Sequence, residues 1–522
     1  MDPIVRNAMR YSLSPREYKL LHKYLLSRTP AVRTKAPQPA RFERAVTAAD
    51  DYNAAALRAS VRLFGGVYGG LKLWEVIAAR VLGRKPVPAP KQPFYKSGNI
   101  RLPGALAAIL LFHRLLHRFF LRLRASLLDD TAKAFRARNP RIARALTAKL
   151  APALGASLAG AWLAAYPASQ LRITITIYTA SRALEFFYEY LHNGGWFANM
   201  PWWVGSWLLM PAACGQLLHA FVFDRDCFPA TYNNFVLRHS QHYLHARPAG
   251  YPATAPWPSA AEIVDNLAEM ARLRWPPFVS PILFPTSQTL PPTLAALGPL
   301  TSSAHPGTTS LSCATLHPND PSCLRTYATF FLRAFPGVAR FFTLLYGAFS
   351  LLRWRAFVKT PGPAFLRLAR TVLRMALYVT GALGTSWASI CAFQAFLPRN
   401  VLPQGRFVAA GALAGSWAFL DRGAGRGNFM YTARMSADSL WKVGRKRGWW
   451  NGVRGGDVLL FVGSLALLGG VYEADPAAVT SGVIRKGFGV LRGEGWVDRL
   501  EAPKATEEKV VPDGDKGKGK AE

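Results

Sequence analysis

The sequence predicts an all-α, polytopic membrane protein made of two tandem repeats of about four to five helices each. Three observations predict this class. Several apolar runs approach the roughly 20 residues that a helix needs to cross a bilayer. Two stretches of the chain share a motif at a constant offset, and strand signals are scarce. Half of the 522 residues are apolar, and the mean hydropathy is slightly positive, which is high for a soluble protein.

The charge balance argues for a membrane partner. Lys and Arg outnumber Asp and Glu by 64 to 29, for a net charge of +35. A nucleic-acid binder can be this basic, but it rarely carries so many apolar runs as well. The basic residues lie between and beside these runs, which is typical of loops that face anionic headgroups. We therefore predict a lipid bilayer with anionic headgroups as the partner, and no nucleic acid.

The repeated motif organises the chain. Tyr178-Thr-Ala-Ser-Arg-Ala-Leu-Glu185 runs on to Gly195-Trp196, and Tyr431-Thr-Ala-Arg-Met-Ser-Ala-Asp438 runs on to Gly448-Trp449. Each copy follows a Leu-Ala-Gly-x-Trp motif, at 158–162 and 413–417. This self-similarity predicts a tandem duplication. If all five helices of a half cross the membrane, the halves are inverted, and if the Tyr–acid helix lies flat, they are parallel.

The first part of the chain divides into a polar segment and a membrane repeat. Residues 1–60 are polar, with a short amphipathic helix that starts at the capping box of Ser14 and Glu17. This helix either docks on a partner or the membrane surface, or packs on its own chain. The first membrane repeat is predicted at 61–226. Its apolar runs lie at 61–82, 102–121, 150–166 and 202–223, and the first is a marginal span because it contains charges.

The second part begins with a connector. Residues 227–320 form a proline-rich inter-repeat connector, which we expect to be partly disordered. The second membrane repeat is predicted at 321–495, with a cysteine-containing lead-in at 313–323. Its apolar runs lie at 327–352, 366–397, 407–420 and 458–472. The charged tail at 496–522 is expected to be disordered.

Two acidic side chains, Glu185 and Asp438, are the leading candidate functional residues. Each lies seven residues after a tyrosine, which is two helical turns along the same face. An ionisable group at membrane depth is costly and usually faces a bundle interior or a water-filled path. Two interpretations stay open: the residues line a polar cavity, or they pair helices structurally. The full set is Tyr178, Arg182, Glu185, Tyr431, Arg434 and Asp438.

Small residues predict close helix packing. Ala156 and Gly160 stand four residues apart, and Gly411 and Gly415 take the same places in the second copy. This spacing lets the backbones of two membrane helices approach closely.

Two groups of cysteines and histidines have spacings that a metal site could use. His239, His242 and His245 could share a helix face, but a solvated helix end is the favoured interpretation. Cys313, His317 and Cys323 could supply three zinc ligands, although loops with two cysteines are common. We therefore predict no metal and no cofactor.

Together, the cysteine pattern, the N-terminal sequence and the catalytic motifs that do not occur predict the compartment and the absence of catalysis. Five scattered cysteines do not form a disulfide framework, which favours a reducing compartment. The first 60 residues lack a secretory signal and are too acidic for a mitochondrial presequence, so an intracellular organelle membrane fits best. Phosphate loops, nucleophile elbows and zincin motifs do not occur, so no catalytic residue is predicted.

Short islands of the sequence resemble the transmembrane protein 135 family. In the second half they are His317-Pro-Asn-Asp-Pro-Ser-Cys323, the stretch from Tyr431 through Asp438-Ser-Leu-Trp, and Arg454-Gly-Gly-Asp-Val-Leu-Leu-Phe461. In the first half they run from Tyr178 to Pro229-Ala-Thr-Tyr232. The cysteine-rich half of that family usually comes first, whereas here it comes second. The chain is also distantly similar to the mitochondrial inner-membrane import translocases and peroxisomal membrane protein 24.

The resemblance implies a multi-pass protein of a mitochondrial or peroxisomal membrane. That family is linked to mitochondrial fission–fusion balance and lipid handling, without an established reaction. We therefore predict a non-enzymatic regulator of membrane dynamics and lipid homeostasis, with membrane-dynamics proteins as partners. Two alternatives remain: a transporter or pore with a polar path between the repeats, and a lipid-modifying enzyme that uses the histidines.

Overall fold

The chain is helical throughout the part that the structure describes. This computed structural model describes residues 3–29, 36–47, 50–81, 93, 97–248, 250–252, 254–286, 290–351, 354–493, 498 and 500. Within these residues every regular element is a helix, and one isolated bridge joins Pro277 to Ser310. The all-α prediction is therefore confirmed. Most of the tail predicted at 496–522 lies outside the described residues.

The helices are numbered in chain order. Those of the first 200 residues are α1 (Pro3–Ser12), α2 (Pro15–Tyr24), α3 (Pro39–Val46), α4 (Tyr52–Val81), α5 (Gly98–Leu128), α6 (Lys133–Arg138), α7 (Pro140–Thr147), α8 (Ala151–Ser157) and α9 (Gln170–Asn193). Next come α10 (Leu209–Phe223), α11 (Ala230–His239), α12 (Ala260–Arg272), α13 (Gly298–Thr301), α14 (Leu311–Leu316) and α15 (Cys323–Leu351). The last are α16 (Trp354–Lys359), α17 (Pro361–Phe396), α18 (Gly405–Gly415), α19 (Arg426–Lys446), α20 (Gly456–Ala474) and α21 (Gly482–Arg492).

Among the described residues, five helices are long and apolar enough to cross a membrane. They are Gly98–Leu128, Ser206–Phe223, Cys323–Leu351, Pro361–Phe396 and Gly456–Ala474. The bent pair Pro140–Thr147 and Ala151–Ala165, which meets at 84°, adds a sixth if it acts as one broken span. These lengths suggest a multi-pass membrane protein. The marginal run at 61–82 forms part of α4, which is not among the five because charges interrupt it.

The first compact unit combines the two ends of the chain. Unit 1 consists of residues 1–198 and 453–522. In it α4 packs along α5, α5 packs on α8, and α9 packs along α20. Its apolar core includes Phe186, Tyr472 and Phe488, which are nearly inaccessible to solvent. Arg172 of α9 forms an ion pair with Asp457 of α20, with Nε to Oδ2 at 2.5 Å, which fixes the register of these two helices.

The second compact unit is continuous in sequence. Unit 2 consists of residues 199–452. Here α10 packs on α18 and α19, while α15 and α17 pack along each other. Its largest core cluster is rich in aromatic residues, among them Phe221, Trp275, Trp387 and Phe407. Such large rings bury the most apolar area per residue.

The units and the predicted repeats have different boundaries. Helix α10 closes the repeat predicted at 61–226, yet it packs within unit 2, and α20 closes the repeat at 321–495, yet it packs within unit 1. Each unit therefore takes its last apolar helix from the other predicted half. The two closing helices are similar in length and apolarity, so sequence alone does not tell which half receives which helix.

Corresponding motifs of the two halves adopt the same local conformation. Both short helices, α8 and α18, tighten into a 3-10 turn at the Leu-Ala-Gly-x-Trp motif. Gly195 and Gly448 of the Gly-Trp pairs have φ of 78° and 70°, a left-handed conformation that glycine adopts without strain. In both copies, the backbone N–H of the tryptophan donates to a carbonyl five residues earlier: Trp196 to Leu191, and Trp449 to Gly444. The Gly-Trp pair is thus a Schellman cap that ends the Tyr–acid helix.

The connector is largely folded, contrary to the expectation of partial disorder. Helix α12 starts at a capping box formed by Ser259 and Glu262, and its buried face lies in the core of unit 2. The Trp275 indole N–H donates to the Pro403 carbonyl at 3.1 Å. The expectation was wrong for the described residues of 227–320 because proline-rich loops pack here on an aromatic core.

The amphipathic helix predicted near the N-terminus is α2, and it packs on its own chain. Ser14 and Glu17 form the predicted capping box at the start of α2. Tyr18 stacks on Phe42 of α3, with ring centroids 3.9 Å apart. Of the two expectations for this helix, the structure therefore supports packing within the protein.

Candidate functional sites

In unit 1, the acid of the Tyr–acid helix is held by a neighbouring arginine. The Glu185 side chain is 7% exposed, and its Oε2 lies 2.7 Å from Nη1 of Arg182. The Arg182 guanidinium also lies 5.5 Å from the centre of the Tyr178 ring. Tyr178, Arg182 and Glu185 therefore form one cluster along α9. Arg182 and Glu185 lie three residues apart on the same helix, so the glutamate has a counter-ion within one turn of α9.

In unit 2, the corresponding acid has a different partner. Asp438 Oδ2 lies 2.6 Å from Nζ of Lys442, one turn further along α19. The Arg434 Nε–H donates to the Met430 carbonyl at 3.0 Å. Glu185 and Asp438 thus belong to different units, and each forms an ion pair with a basic residue of its own helix. Tyr431, the tyrosine that precedes Asp438 on the same helix, lines a cavity in unit 2.

This cavity is a feature of unit 2 that could receive a ligand. It has a volume of about 530 Å³ and lies among α10, α11, α15, α17, α18 and α19. Its walls are mostly apolar, and the aromatic residues among them include Phe221, Phe235, Phe341, Tyr378 and Trp387. Small residues such as Ala382 and Ala414 are also part of its lining.

A few polar groups face the same cavity. Tyr232 and Thr432 lie with their hydroxyl oxygens 3.3 Å apart, and Asn428 and Tyr431 line the cavity as well. The rings of Tyr232 and Tyr431 meet edge to face. Burial raises the pKa of Tyr232 to about 12, so this hydroxyl stays protonated and can donate a hydrogen bond. Polar groups of this kind orient a ligand within an apolar pocket.

The predicted packing residues lie at helix contacts, and in unit 2 these contacts are with backbone atoms. A Cβ at Gly411 would come within 2.3 Å of the Cys214 carbonyl oxygen, and one at Gly415 within 2.5 Å of the Met210 carbonyl oxygen. In unit 1, a Cβ at Gly160 would meet Leu465 at 3.0 Å, and Ala156 is completely buried. The small residues thus allow close helix contacts in both units.

A cysteine–histidine cluster lies beside the core of unit 2. Cys313, His317, Cys323 and Cys391 place one sulfur or ring-nitrogen atom each within 4.8 Å of all the others. The sequence suggested the first three. Cys391 was missed because it lies 74 residues after His317, within the apolar sequence of α17, where a lone cysteine looks like an ordinary core residue.

The cluster favours the charged form of its first thiol. Hydrogen bonds with Cys323 and Cys391 hold the pKa of Cys313 well below its usual range, although burial opposes this. Burial also lowers the pKa of His317, but hydrogen bonds with the Cys313 and Cys323 thiols outweigh it and raise the pKa to about 10. Cys313 is thus the thiol of the cluster whose ionised form these hydrogen bonds favour.

Two of the three histidines at 239–245 have backbone partners. The rings of His239 and His245 lie within hydrogen-bond distance of the carbonyls of Phe235 and Leu316, at 2.9 and 3.0 Å. Within the described residues, the group around Cys391 is the one set of three or more potential ligands close enough to hold one ion. His239, His242 and His245 do not form a second one.

The comparisons with known proteins leave the family open. No protein-family model matches the chain, and no curated protein or solved structure matches it either.

Proposed function

We propose that this chain is a multi-pass protein of a mitochondrial or peroxisomal membrane that holds a lipid acyl chain in the cavity of unit 2 and so contributes to lipid homeostasis. The observation that carries the proposal is the apolar cavity of about 530 Å³. Its volume lies within the range of roughly 300–1,000 Å³ that is usual for pockets enclosing one small ligand. The motifs shared with the transmembrane protein 135 family support the same assignment.

The walls suit a hydrocarbon chain. Aromatic and aliphatic side chains supply most of the lining, with sulfur from Met210 and Met375. Flexible Met side chains adapt to irregular ligands. For a ligand that arrives from water, each buried methylene contributes about 0.8 kcal/mol.

The polar groups supply selectivity. A bilayer is as apolar as the cavity walls, so burial of a tail gives little preference for the protein over the membrane. A hydrogen bond to an ester, carboxyl or hydroxyl group of the lipid does give a preference. Tyr232 and Thr432 are placed to make such a bond, and their mutual contact at 3.3 Å opens when a stronger acceptor enters. The high net positive charge further favours anionic lipids.

The proposal assigns this chain no reaction of its own. It acts instead by retaining or presenting a lipid, which is how it would influence membrane dynamics and the proteins that control them. Catalysis would need an activated nucleophile or base beside the cavity. The polar groups that line it are hydroxyls, the Asn428 amide and the Cys214 thiol.

A photoreactive fatty acid tests the proposal. The purified protein in detergent is irradiated with the probe, and the labelled peptides are identified by mass spectrometry. We expect labels on peptides that contain Tyr232 or Trp387. Ala382→Phe, which fills the cavity from α17, should reduce the labelling by about tenfold, equivalent to about 1.4 kcal/mol.

A matched variant on the same helix gives the control. Ala369 is exposed on α17 and away from the cavity, so Ala369→Phe should leave the labelling unchanged. Equal labelling of Ala382→Phe and the wild type, or labels distributed over the exposed faces of the spans, would contradict the proposal.

A further inference from the structure

We propose that Cys313, His317, Cys323 and Cys391 bind one zinc ion, which fastens the lead-in segment of α14 and the start of α15 to the C-terminal part of α17. All four residues belong to unit 2. The inference is independent of the lipid cavity, because none of the four lines it.

The distances match a single tetrahedral ion. Zinc bonds of about 2.3 Å to sulfur and about 2.0 Å to nitrogen, at tetrahedral angles, put two sulfurs about 3.8 Å apart and a sulfur and a nitrogen about 3.5 Å apart. The structure has Cys313 Sγ and Cys323 Sγ at 3.7 Å. It also places Nε2 of His317 at 3.4 Å from Cys323 Sγ and 3.5 Å from Cys391 Sγ.

The histidine is oriented as a metal ligand. Its Nδ1–H donates to the Asp320 carbonyl at 2.7 Å, which leaves Nε2 as the ring nitrogen that faces the cysteine sulfurs. Zinc-bound histidines almost always have such a partner on the other ring nitrogen, because it fixes the tautomer and the ring plane. The loop that carries Asp320 is itself held, since Asp320 Oδ2 accepts from Arg325 Nε at 2.6 Å.

The backbone positions the sulfurs. Ser310 caps α14 by accepting from the Cys313 amide at 3.3 Å. Cys323 is the first residue of α15, a helix of 29 residues, so the start of this helix fixes the position of its sulfur. Cys391 is 2% exposed and His317 4% exposed, so the ion would be shielded from water and from competing ligands.

The ligand set selects the metal and its role. Three thiolates and one imidazole in a tetrahedron are typical of structural zinc. A two-iron cluster would need ligands of its separate irons further apart than these four atoms are. With four protein ligands no coordination position remains for water or substrate, so the ion has a structural role.

A disulfide is the competing state of the pair Cys313 and Cys323. Their sulfurs are 3.7 Å apart, well beyond the bond length of about 2.05 Å, and all five cysteines of the chain are free in the structure. The experiment therefore measures the metal and the thiols on the same sample.

The test uses the full chain, purified in detergent without chelators. Elemental mass spectrometry should find about one zinc per chain, and Cys391→Ala should reduce it at least tenfold. Cys227→Ala serves as the matched control, because Cys227 is also a buried cysteine of unit 2, and it should retain the zinc. Cobalt exchanged into the wild type should give the visible bands of a tetrahedral thiolate site, which requires no variant to fold.

Each other outcome would overturn the assignment. Wild-type protein without metal, zinc retained in Cys391→Ala, or loss of zinc in Cys227→Ala to the same degree would refute it. So would a Cys313–Cys323 disulfide in the intact mass, or copper in place of zinc at the same stoichiometry.

Discussion

Replacement of Gly411 by alanine tests the closest helix contact in unit 2. A Cβ at this position would come within 2.3 Å of the Cys214 carbonyl oxygen and within 2.8 Å of the Gly215 Cα, where ordinary contacts begin at 3.4 Å. Both obstacles are backbone atoms, so no side chain can turn away. Helices α10 and α18 must instead separate by about 1 Å, which forfeits between a quarter and a half of the dispersion energy along their contact.

The expected cost follows from known overpacking effects. Insertion of a methyl group into a close-packed contact typically destabilises by about 1–3 kcal/mol. At the upper end of that range, a unit of this size should lose about 5–10 °C in melting temperature. The assay is thermal unfolding of the purified protein in detergent, with all variants at one scan rate because membrane proteins often unfold irreversibly.

Gly347→Ala is the matched control for this prediction. Gly347 lies inside α15, also in unit 2, and an added Cβ would meet no atom within 4 Å. Alanine should therefore stabilise that helix by about 0.5–1 kcal/mol. The maleimide labelling of Cys214, measured by peptide mass spectrometry, should rise in Gly411→Ala alone. If Gly411→Ala melts at or above the wild-type temperature, the close contact of α10 and α18 is not as described.

Three further predictions concern charged and titratable groups. Glu185→Gln should lower the free energy of unfolding of unit 1 by about 1–3 kcal/mol, because the glutamate is buried against Arg182. Asp438→Asn should lower that of unit 2 by less than about 1 kcal/mol, because the Lys442 side chain is 39% exposed. Equal losses of stability in chemical denaturation would refute this ranking. Asp457→Asn should weaken unit 1 by about 2–3 kcal/mol through loss of the two-bond contact with Arg172; an unchanged denaturation midpoint would contradict it. Burial lowers the pKa values of His242 and His245 below 6.5, so the unfolded chain takes up protons first and stability should fall as the pH drops below about 6.5. The melting temperature of the double variant with Asn at both positions should depend less on pH between 5.5 and 7.5 than that of the wild type.

Helix content and local caps could be predicted from the sequence because they depend on neighbouring residues. The capping box of Ser14 and Glu17 is a short-range pattern, and the structure contains it. The small pair Gly411 and Gly415 was likewise recognisable by spacing, and both residues lie at backbone contacts. Such features need no knowledge of the distant parts of the chain.

Long-range pairing could not be predicted in the same way. The Tyr431 side chain lines an apolar cavity whose other walls include α10, α15 and α17, and the sequence does not indicate which helices these are. Cys391 completes a ligand set whose other members lie far earlier in the sequence. Apolar periodicity shows that a helix has a buried face, but it does not identify the helix on the other side.

The exchange of α10 and α20 between the predicted halves sets an order of assembly. Unit 2 is complete once residue 452 has been made, whereas unit 1, whose first residues are synthesised earliest, waits for α20 at Gly456–Ala474. Until then, the face of α9 that packs on α20 has no partner from its own unit. Domains generally fold as units during synthesis, so the part of the protein made first should be the last to become stable. A chain that stops after α19 should therefore contain a folded unit 2 beside an unfinished unit 1.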